Sequence, residues 1–186
     1  MKLIAIVVLG LIFHCAISSP DMQIGAGGIG FGCGSNSPAA QLPYSYVRLG
    51  PDTAPRLKKE FTKFQHFGGY NTADHYLRAF SHMRLVGAGV MDMGIFGVLP
   101  TPSDSKKPSI PSKDLTVKFI KSSEKATPGY YKISIENNVT AELTTTQRTG
   151  AHRYTLKNKG GYNINFMTGY ILERDGKRNS TTIKCG

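Results

Sequence analysis

Apolar and polar residues alternate along the second half of the chain. Four segments show this period of two and are rich in β-branched and aromatic residues, namely residues 115–119, 131–135, 139–143 and 152–156. Turn-forming residues separate them, at positions 127–129, 136–138, 149–150 and 157–161. Short alternating strands at close spacing predict an all-β protein, either an antiparallel sandwich or a barrel.

The first half is less regular. Residues 24–34 are rich in glycine and predict a loop. Residues 41–49 alternate and predict a strand that runs into a turn at residues 50–52. Residues 76–83 contain no breaker and fit a short helix as well as a strand. Four prolines between Pro100 and Pro111 predict an exposed connection.

The N-terminus has the features of a signal peptide. Lys2 precedes an apolar run over residues 3–13, and small residues follow at Ala16, Ser18 and Ser19. The run is about half the length of a membrane-spanning helix, so no membrane span is predicted. We therefore expect a signal peptide over residues 1–19, one domain over residues 20–186, and a secreted, extracellular protein.

Secretion changes the chemistry expected of the cysteines. Cleavage would remove Cys15 and leave Cys33 and Cys185, which could form one disulfide in an oxidising compartment; two unpaired thiols are the alternative. Asn138 and Asn179 each begin an Asn-x-Ser/Thr triplet and are candidate N-glycosylation sites.

The charge is basic but diffuse. The chain has 23 Lys and Arg residues against 12 Asp and Glu, a net charge of +11, and no long run of like charge. This favours contact with polyanions such as acidic polysaccharides in general and predicts no specific nucleic acid.

Five motifs, in order, resemble those of the N-terminal domain of glycoside hydrolase family 92, the calcium-dependent exo-α-mannosidases. Residues 39–52 read AAQLPYSYVRLGPD, against GAQLPFGMVRLSPD in the family. Residues 69–70 and 80–89 read GY and FSHMRLVGAG, against GY and FSHTHLSGTG. Residues 91–96 and 99–100 read MDMGIF and LP, against GDxGDF and MP. Residues 126–131 and 141–155 read ATPGYY and AELTTTQRTGAHRYT, against AxPGYY and AELTATxRxGxHRYT.

The resemblance implies a β-sandwich that packs on a larger helical domain. In the family, α-mannosides are hydrolysed between the two domains with inversion, by paired carboxylates and a calcium ion that binds the sugar hydroxyls. The acid and base come largely from the helical domain, which this chain lacks. We therefore expect no catalytic residues and no metal site here, and calcium only where a complete family-type site is assembled.

The departures from the family pattern concentrate in the polar loops. Arg84 replaces the second histidine of FSHTH, Val86 a serine, Ala88 a threonine and Ile95 an aspartate, and the chain has no tryptophan to stack on a sugar. The candidates for contact with carbohydrate or a partner domain are His82, Asp92, Arg84 and Asp74. Glu142, Arg148 and Arg153 are interpreted as cross-strand ion pairs.

Three functions remain open. The first is a secreted α-mannosidase-like domain, non-catalytic alone, that binds mannose-containing glycans or a partner; a truncated gene product or incomplete gene model fits the same residues. The second is a subunit or fragment of an active α-mannosidase, with a helical catalytic domain bound to an apolar patch at Phe80, Leu85, Val86, Met91 and Ile95. The third is a basic secreted protein that binds polyanions.

Overall fold

The computed structural model describes residues 20–28, 35–55, 66–87, 93–102, 115–136, 138–157 and 161–171. These residues form strands and loops, and no helix occurs among them. The eight strands are β1 (Gly50–Ala54), β2 (Tyr76–Arg84), β3 (Met93–Pro102), β4 (Val117–Thr127), β5 (Tyr130–Ile135), β6 (Val139–Thr145), β7 (Gly150–Leu156) and β8 (Tyr162–Ile171).

All pairings are antiparallel, in the order β7-β6-β5-β4-β2-β3-β8, with β1 added beside β2. Only Tyr76 and Leu77 of β2 pair with β4, so this junction joins two halves of the sheet. The halves curl towards each other until Phe80 of β2 contacts His152 and Tyr154 of β7. The predicted all-β, antiparallel sandwich is confirmed as a curled sheet with two facing halves.

The core lies between these halves. In β5 and β6 every second side chain is buried, as the alternation predicts. Each large apolar side chain removed from water contributes about 1.5–3 kcal/mol to folding. The fully buried members from the two halves include Leu77, Phe80, Leu99, Tyr131, Ile133, Ala141 and Leu143.

The segment that fitted either a helix or a strand is strand β2, and it is covered on both faces. Five consecutive residues, 77–81, are buried, so no alternation is visible in the sequence. The backbone N–H of Arg48 donates to the carbonyl of His82, which places the preceding loop against the end of β2. Burial on both faces explains why the period of two is lost.

The prediction of a strand at residues 41–49 was wrong. Only an isolated bridge between Ala40 and Leu49 forms there, and the strand begins at Gly50, where a turn was predicted. A Cβ at Gly50 would lie 2.6 Å from the Ala39 side chain, so glycine permits this close approach. Among the strands that the structure describes, β1 pairs with β2 alone and so lies at an edge, where Pro51 is tolerated.

The prediction of an exposed connection over residues 100–111 was also wrong for its first three residues, which belong to a strand. Pro100 and Pro102 belong to β3, opposite Ile164 and Tyr162 of β8, a strand that the sequence did not indicate. Pairing of β3 with β2 ends at Val98, and beyond that point no strand among the described residues pairs with this side of β3. Proline lacks an N–H and fits such an unpaired side.

Candidate functional site

Arg84, which replaces a histidine of the family motif, lies inside the domain. Its exposed fraction is 2%, and its guanidinium forms an ion pair of 2.8 Å with Asp52 Oδ1. Its hydrogen bonds go to Ser37 Oγ, Ser81 Oγ and the carbonyls of Gly50, Pro51 and Gly68. A single side chain therefore connects the segment before β1, strand β1, the loop before β2 and β2 itself.

Asp52 is fully buried beside this guanidinium. Burial raises the pKa of its carboxyl, and the charge of Arg84 opposes that rise. A buried pair of this kind adds little over an apolar pair of the same shape, but either partner left alone is costly. The pair therefore makes the fold depend on both residues together.

Asp74 is buried in a second network. Its Oδ2 lies 2.7 Å from His66 Nε2 and accepts a hydrogen bond of 2.7 Å from Thr53 Oγ1. Thr53 Oγ1 in turn accepts the backbone N–H of Asn71. The carboxylate thus ties the loop at residues 66–74 to β1, and it does not face solvent.

A third buried carboxylate, Glu124, was not singled out from the sequence. It accepts hydrogen bonds from the hydroxyls of Tyr70 (2.8 and 2.9 Å) and Tyr131 (2.7 Å), and Lys121 Nζ lies 2.8 Å from it. Burial, then the Glu124 charge, raises the pKa of both tyrosines. The only sequence signal was an acidic residue in a strand with a weak alternation, which could not reveal these long-range partners.

The ion pair predicted across the polar face is present. Glu142 and Arg153 are directly opposite on β6 and β7, with 2.8 Å between Oε2 and Nε. The hydroxyl of Tyr130 donates to the same carboxylate at 2.6 Å. Hydrogen bonds from Arg153 and Tyr130 lower the pKa of Glu142 to about 2. Arg148 lies in the exposed β6–β7 turn, where its N–H donates to Thr146.

Of the predicted contact residues that the structure describes, His82 lies nearest to the surface. Its Nε2 is 2.9 Å from Nε2 of His152, and its ring lies 5.0 Å from that of Phe96. The other nitrogen of His152, Nδ1, lies 2.8 Å from the hydroxyl of Tyr154. Burial lowers the pKa of both histidines, that of His152 to about 4. Both rings are therefore neutral near neutral pH.

Register explains why the two histidines meet. His152 is opposite Leu143, whose side chain is buried in the core, so His152 points to the inner side of the sheet. A Cβ at Gly150 would lie 3.0 Å from the His82 ring, which shows how closely the start of β7 approaches β2. This proximity depends on the curl of the sheet and could not be deduced from a strand pattern.

Apolar side chains continue outward from this pair. Phe96 contacts Phe166 on β8 with 5.9 Å between ring centroids, and Phe166 is 65% exposed. Phe166 is opposite Val98, which is opposite Phe80, so these residues lie on the face that is turned towards β7. Ile164, two residues before Phe166, is 48% exposed. We call the surface formed by Phe96, Ile164 and Phe166 the β8 apolar face.

The apolar patch expected from the sequence differs from this face. Phe80 is completely buried and belongs to the core, because β7 covers it, while Ile95 is 50% exposed beside Phe96. Asp92, Met91, Cys33, Cys185 and Asn179 lie outside the described residues, as does the segment 1–19. Asn138 is exposed in the turn between β5 and β6.

The described residues do not fit a calcium site. No group of three or more His, Cys, Asp or Glu side chains among them could hold a metal ion. The buried carboxylates of Asp52, Asp74 and Glu124 are already engaged by Arg84, His66 and Lys121. Calcium needs six to eight oxygen ligands, so this part of the chain offers no cage for it. The described part of the chain also contains no helix with the length and hydrophobicity of a membrane span.

Comparison with known proteins agrees with this architecture. An α-mannosidase of family GH92 from Bacteroides thetaiotaomicron matches 73% of this chain and 18% of its own, with 28% identity and a TM-score of 0.59. A glycosyl hydrolase of the gh92 family matches 77% of this chain and 19% of its own, at 22% identity and a TM-score of 0.61, which supports the fold.

The chain is also similar in sequence to a longer protein. An uncharacterized secreted glycosidase from Arthroderma benhamiae is 30% identical over 121 residues, which are 63% of this chain and 15% of that protein. The chain thus spans less than a fifth of the length of these relatives. The family model for the glycosyl hydrolase family 92 N-terminal domain matches residues 21–185. On that match, the chain belongs to the glycosyl hydrolase family 92 N-terminal domain family.

Proposed function

We propose that this chain is the β-sandwich component of a secreted α-mannosidase-type glycosidase, without catalysis of its own, and that it binds a helical catalytic domain. The observation that carries the proposal is the β8 apolar face. Phe166 and Ile164 are largely exposed on a face that is continuous with the core, next to half-buried Phe96. Exposed apolar surface of this kind marks a place where another protein surface packs.

The position of the carboxylates supports a non-catalytic role. Inverting glycoside hydrolysis needs an acid and a base about 6.5–9.5 Å apart with water between them. Asp52, Asp74 and Glu124 are buried and bonded internally. Glu142 is held by Arg153 and Tyr130. None of these four described carboxylates faces a cleft with a partner acid.

Binding of the helical domain is tested by mixing the purified chain with the separately produced helical domain of the Bacteroides relative and measuring mass by light scattering after size exclusion. We expect a one-to-one complex that Phe166→Ser abolishes. Ile120→Ser is the matched control, since Ile120 is 48% exposed on β4. No complex, or equal loss with both variants, would overturn the docking proposal.

Catalysis is tested separately by release of mannose from α-mannosides, with and without calcium. We expect no release by the chain alone and calcium-dependent release by the complex. Release by the chain alone would place a complete site on it and contradict the non-catalytic role.

A second candidate function is binding of mannose-containing glycans without catalysis. Tyr44 and Tyr46 are 99% and 71% exposed, in the loop whose Tyr46 N–H donates to Gln147 of the β6–β7 turn. Aromatic rings of this kind can stack on sugar faces. A glycan array with wild type and Tyr44→Ala distinguishes this function, since mannose-competed binding that is lost in the variant supports it. Binding that falls steeply with salt would instead favour the polyanion interpretation.

A further inference from the structure

The contact between His82 and His152 joins the two halves of the sheet through their ring nitrogens. The Nε2 atoms are 2.9 Å apart, the ring centroids 4.8 Å, and the ring planes are inclined by 38°. The two residues come from β2 and β7, which are not neighbours in the sheet. Both side chains are half-buried beside the partly exposed β8 apolar face.

Hydrogen bonding holds His152 in this orientation. Its Nδ1 lies 2.8 Å from the Tyr154 hydroxyl, which can either donate to or accept from that nitrogen. The backbone of Phe96 interacts with the His82 ring but makes no hydrogen bond of ordinary geometry to its Nδ1. A partner on the second nitrogen is the usual way in which a ligating histidine is fixed.

Two neutral imidazoles in this arrangement need a cation or a proton between them. One lone pair faces another at 2.9 Å unless one Nε2 carries a hydrogen and donates it to the other. In the metal-free protein, the Tyr154 hydroxyl can donate to His152 Nδ1 while His152 Nε2–H donates to His82. If the His152 hydrogen moves to Nδ1 and Tyr154 accepts it, both Nε2 lone pairs become available without net loss of a proton.

We propose that His82 and His152 form a two-histidine site for a tetragonal transition metal, Cu²⁺ above all. A metal–nitrogen bond is about 2.0–2.1 Å, so nitrogens 2.9 Å apart subtend an angle of roughly 90° at the metal. A tetrahedral ion would need a separation of about 3.3–3.4 Å. Square-planar or tetragonal coordination by nitrogen and oxygen is typical of Cu²⁺ and Ni²⁺, and Cu²⁺ binds most tightly in the first-row series.

Water would complete the coordination, because no group of three His, Cys, Asp or Glu ligands exists among the described residues. The metal proposal does not depend on the docking proposal, because the proposed ligands are the two imidazoles and the docking surface is the β8 apolar face.

The test is titration of the purified chain with CuSO₄, read by electron paramagnetic resonance. We expect one bound Cu²⁺ with two nitrogen ligands and a tetragonal spectrum, lost in His82→Gln and in His152→Gln. His75→Gln is the matched control, because His75 is exposed just before β2 and should leave the spectrum unchanged. An unchanged spectrum in either site variant, or Zn²⁺ binding as tight as Cu²⁺, would overturn the proposal.

A second measurement does not depend on the variants folding. In ¹H–¹⁵N spectra of the wild-type chain, substoichiometric Cu²⁺ should broaden resonances of β2 and β7 around the histidine pair first. Broadening centred elsewhere, for example at the terminal amine, would contradict the site.

Discussion

Replacing Arg84 should cost more stability than any surface substitution, because its guanidinium links four segments. Arg84→Met removes the ion pair and all five hydrogen bonds and leaves the carboxylate of Asp52 buried without its ion-pair partner. Removal of one partner of a buried pair costs about 3–5 kcal/mol. Domains of this size have roughly 5–15 kcal/mol in total, so the loss is a large share.

The assay is equilibrium unfolding in urea, followed by tyrosine fluorescence and circular dichroism. With a denaturant dependence of about 2 kcal/mol per molar, a loss of about 4 kcal/mol lowers the midpoint by about 2 M. Arg84→His, which restores the residue of the family motif, should be nearly as damaging, because imidazole is too short to reach Ser37 and Gly68. Arg153→Met is the control; Arg153 is exposed on β7, and its replacement should leave the midpoint almost unchanged.

Coupling between the two buried residues gives a sharper test. Asp52→Asn combined with Arg84→Met should be less damaging than the sum of the single changes, because the double variant removes both charges of the ion pair. The reasoning would be refuted if the stability losses of the two single variants added up to that of the double variant. A loss below about 1 kcal/mol for Arg84→Met would also refute it, because Asp52 and Arg84 would then not be coupled.

Four further substitutions test other parts of the domain. In urea unfolding, Glu124→Gln should lower the free energy of unfolding by about 2–3 kcal/mol, and Tyr131→Phe by about 1–2 kcal/mol. The first loss is larger because the change removes the charged acceptor of several contacts, whereas the second removes one hydroxyl donor. Because the pKa of His152 is lowered to about 4, folding favours its neutral form, so stability is complete above about pH 6.5 and is lost as the pH falls towards 4. After allowance for the partial exposure of His152, the free energy of unfolding of wild type should fall by about 1 kcal/mol between about pH 7 and about pH 5, and that of His152→Gln should fall less. An equal dependence of stability on pH in the two proteins would contradict this. Gly97→Ala should lower stability by about 1–3 kcal/mol in thermal unfolding, because the new methyl lies 3.0 Å from the Tyr170 ring; an unchanged melting temperature would show that the ring yields freely.

The strands with one buried face could be predicted from the sequence, and those without one could not. In β5, β6 and β7 the alternation matches the burial or half-burial of every second residue. In β2 both faces are covered, so its sequence carried no period of two. In β3 the prolines indicated a loop, although the missing neighbour on one side allows them in a strand.

The candidate site was predictable only in part. The family motifs drew attention to His82, and it lies at the edge of the core, beside the β8 apolar face. Its partner His152 belongs to another motif, 70 residues away, and only the curl of the sheet brings the two together. Arg84 and Asp74 looked like loop residues that could contact a ligand, but burial and partners distant in sequence assign them to the interior.

The lengths of the loops between paired strands predict the order in which the two halves of the sheet form. Strands β4 to β7 pair with their neighbours in the chain through short turns, so this meander closes only small loops. Strand β8 instead pairs with β3, and this pairing closes a long loop, residues 103–161, that contains the meander. Short loops close at lower entropic cost, so the meander should form first and the β3–β8 ladder last. The surface that carries Phe166 would then be completed only when the final strand is in place, which makes partner binding a late event in folding.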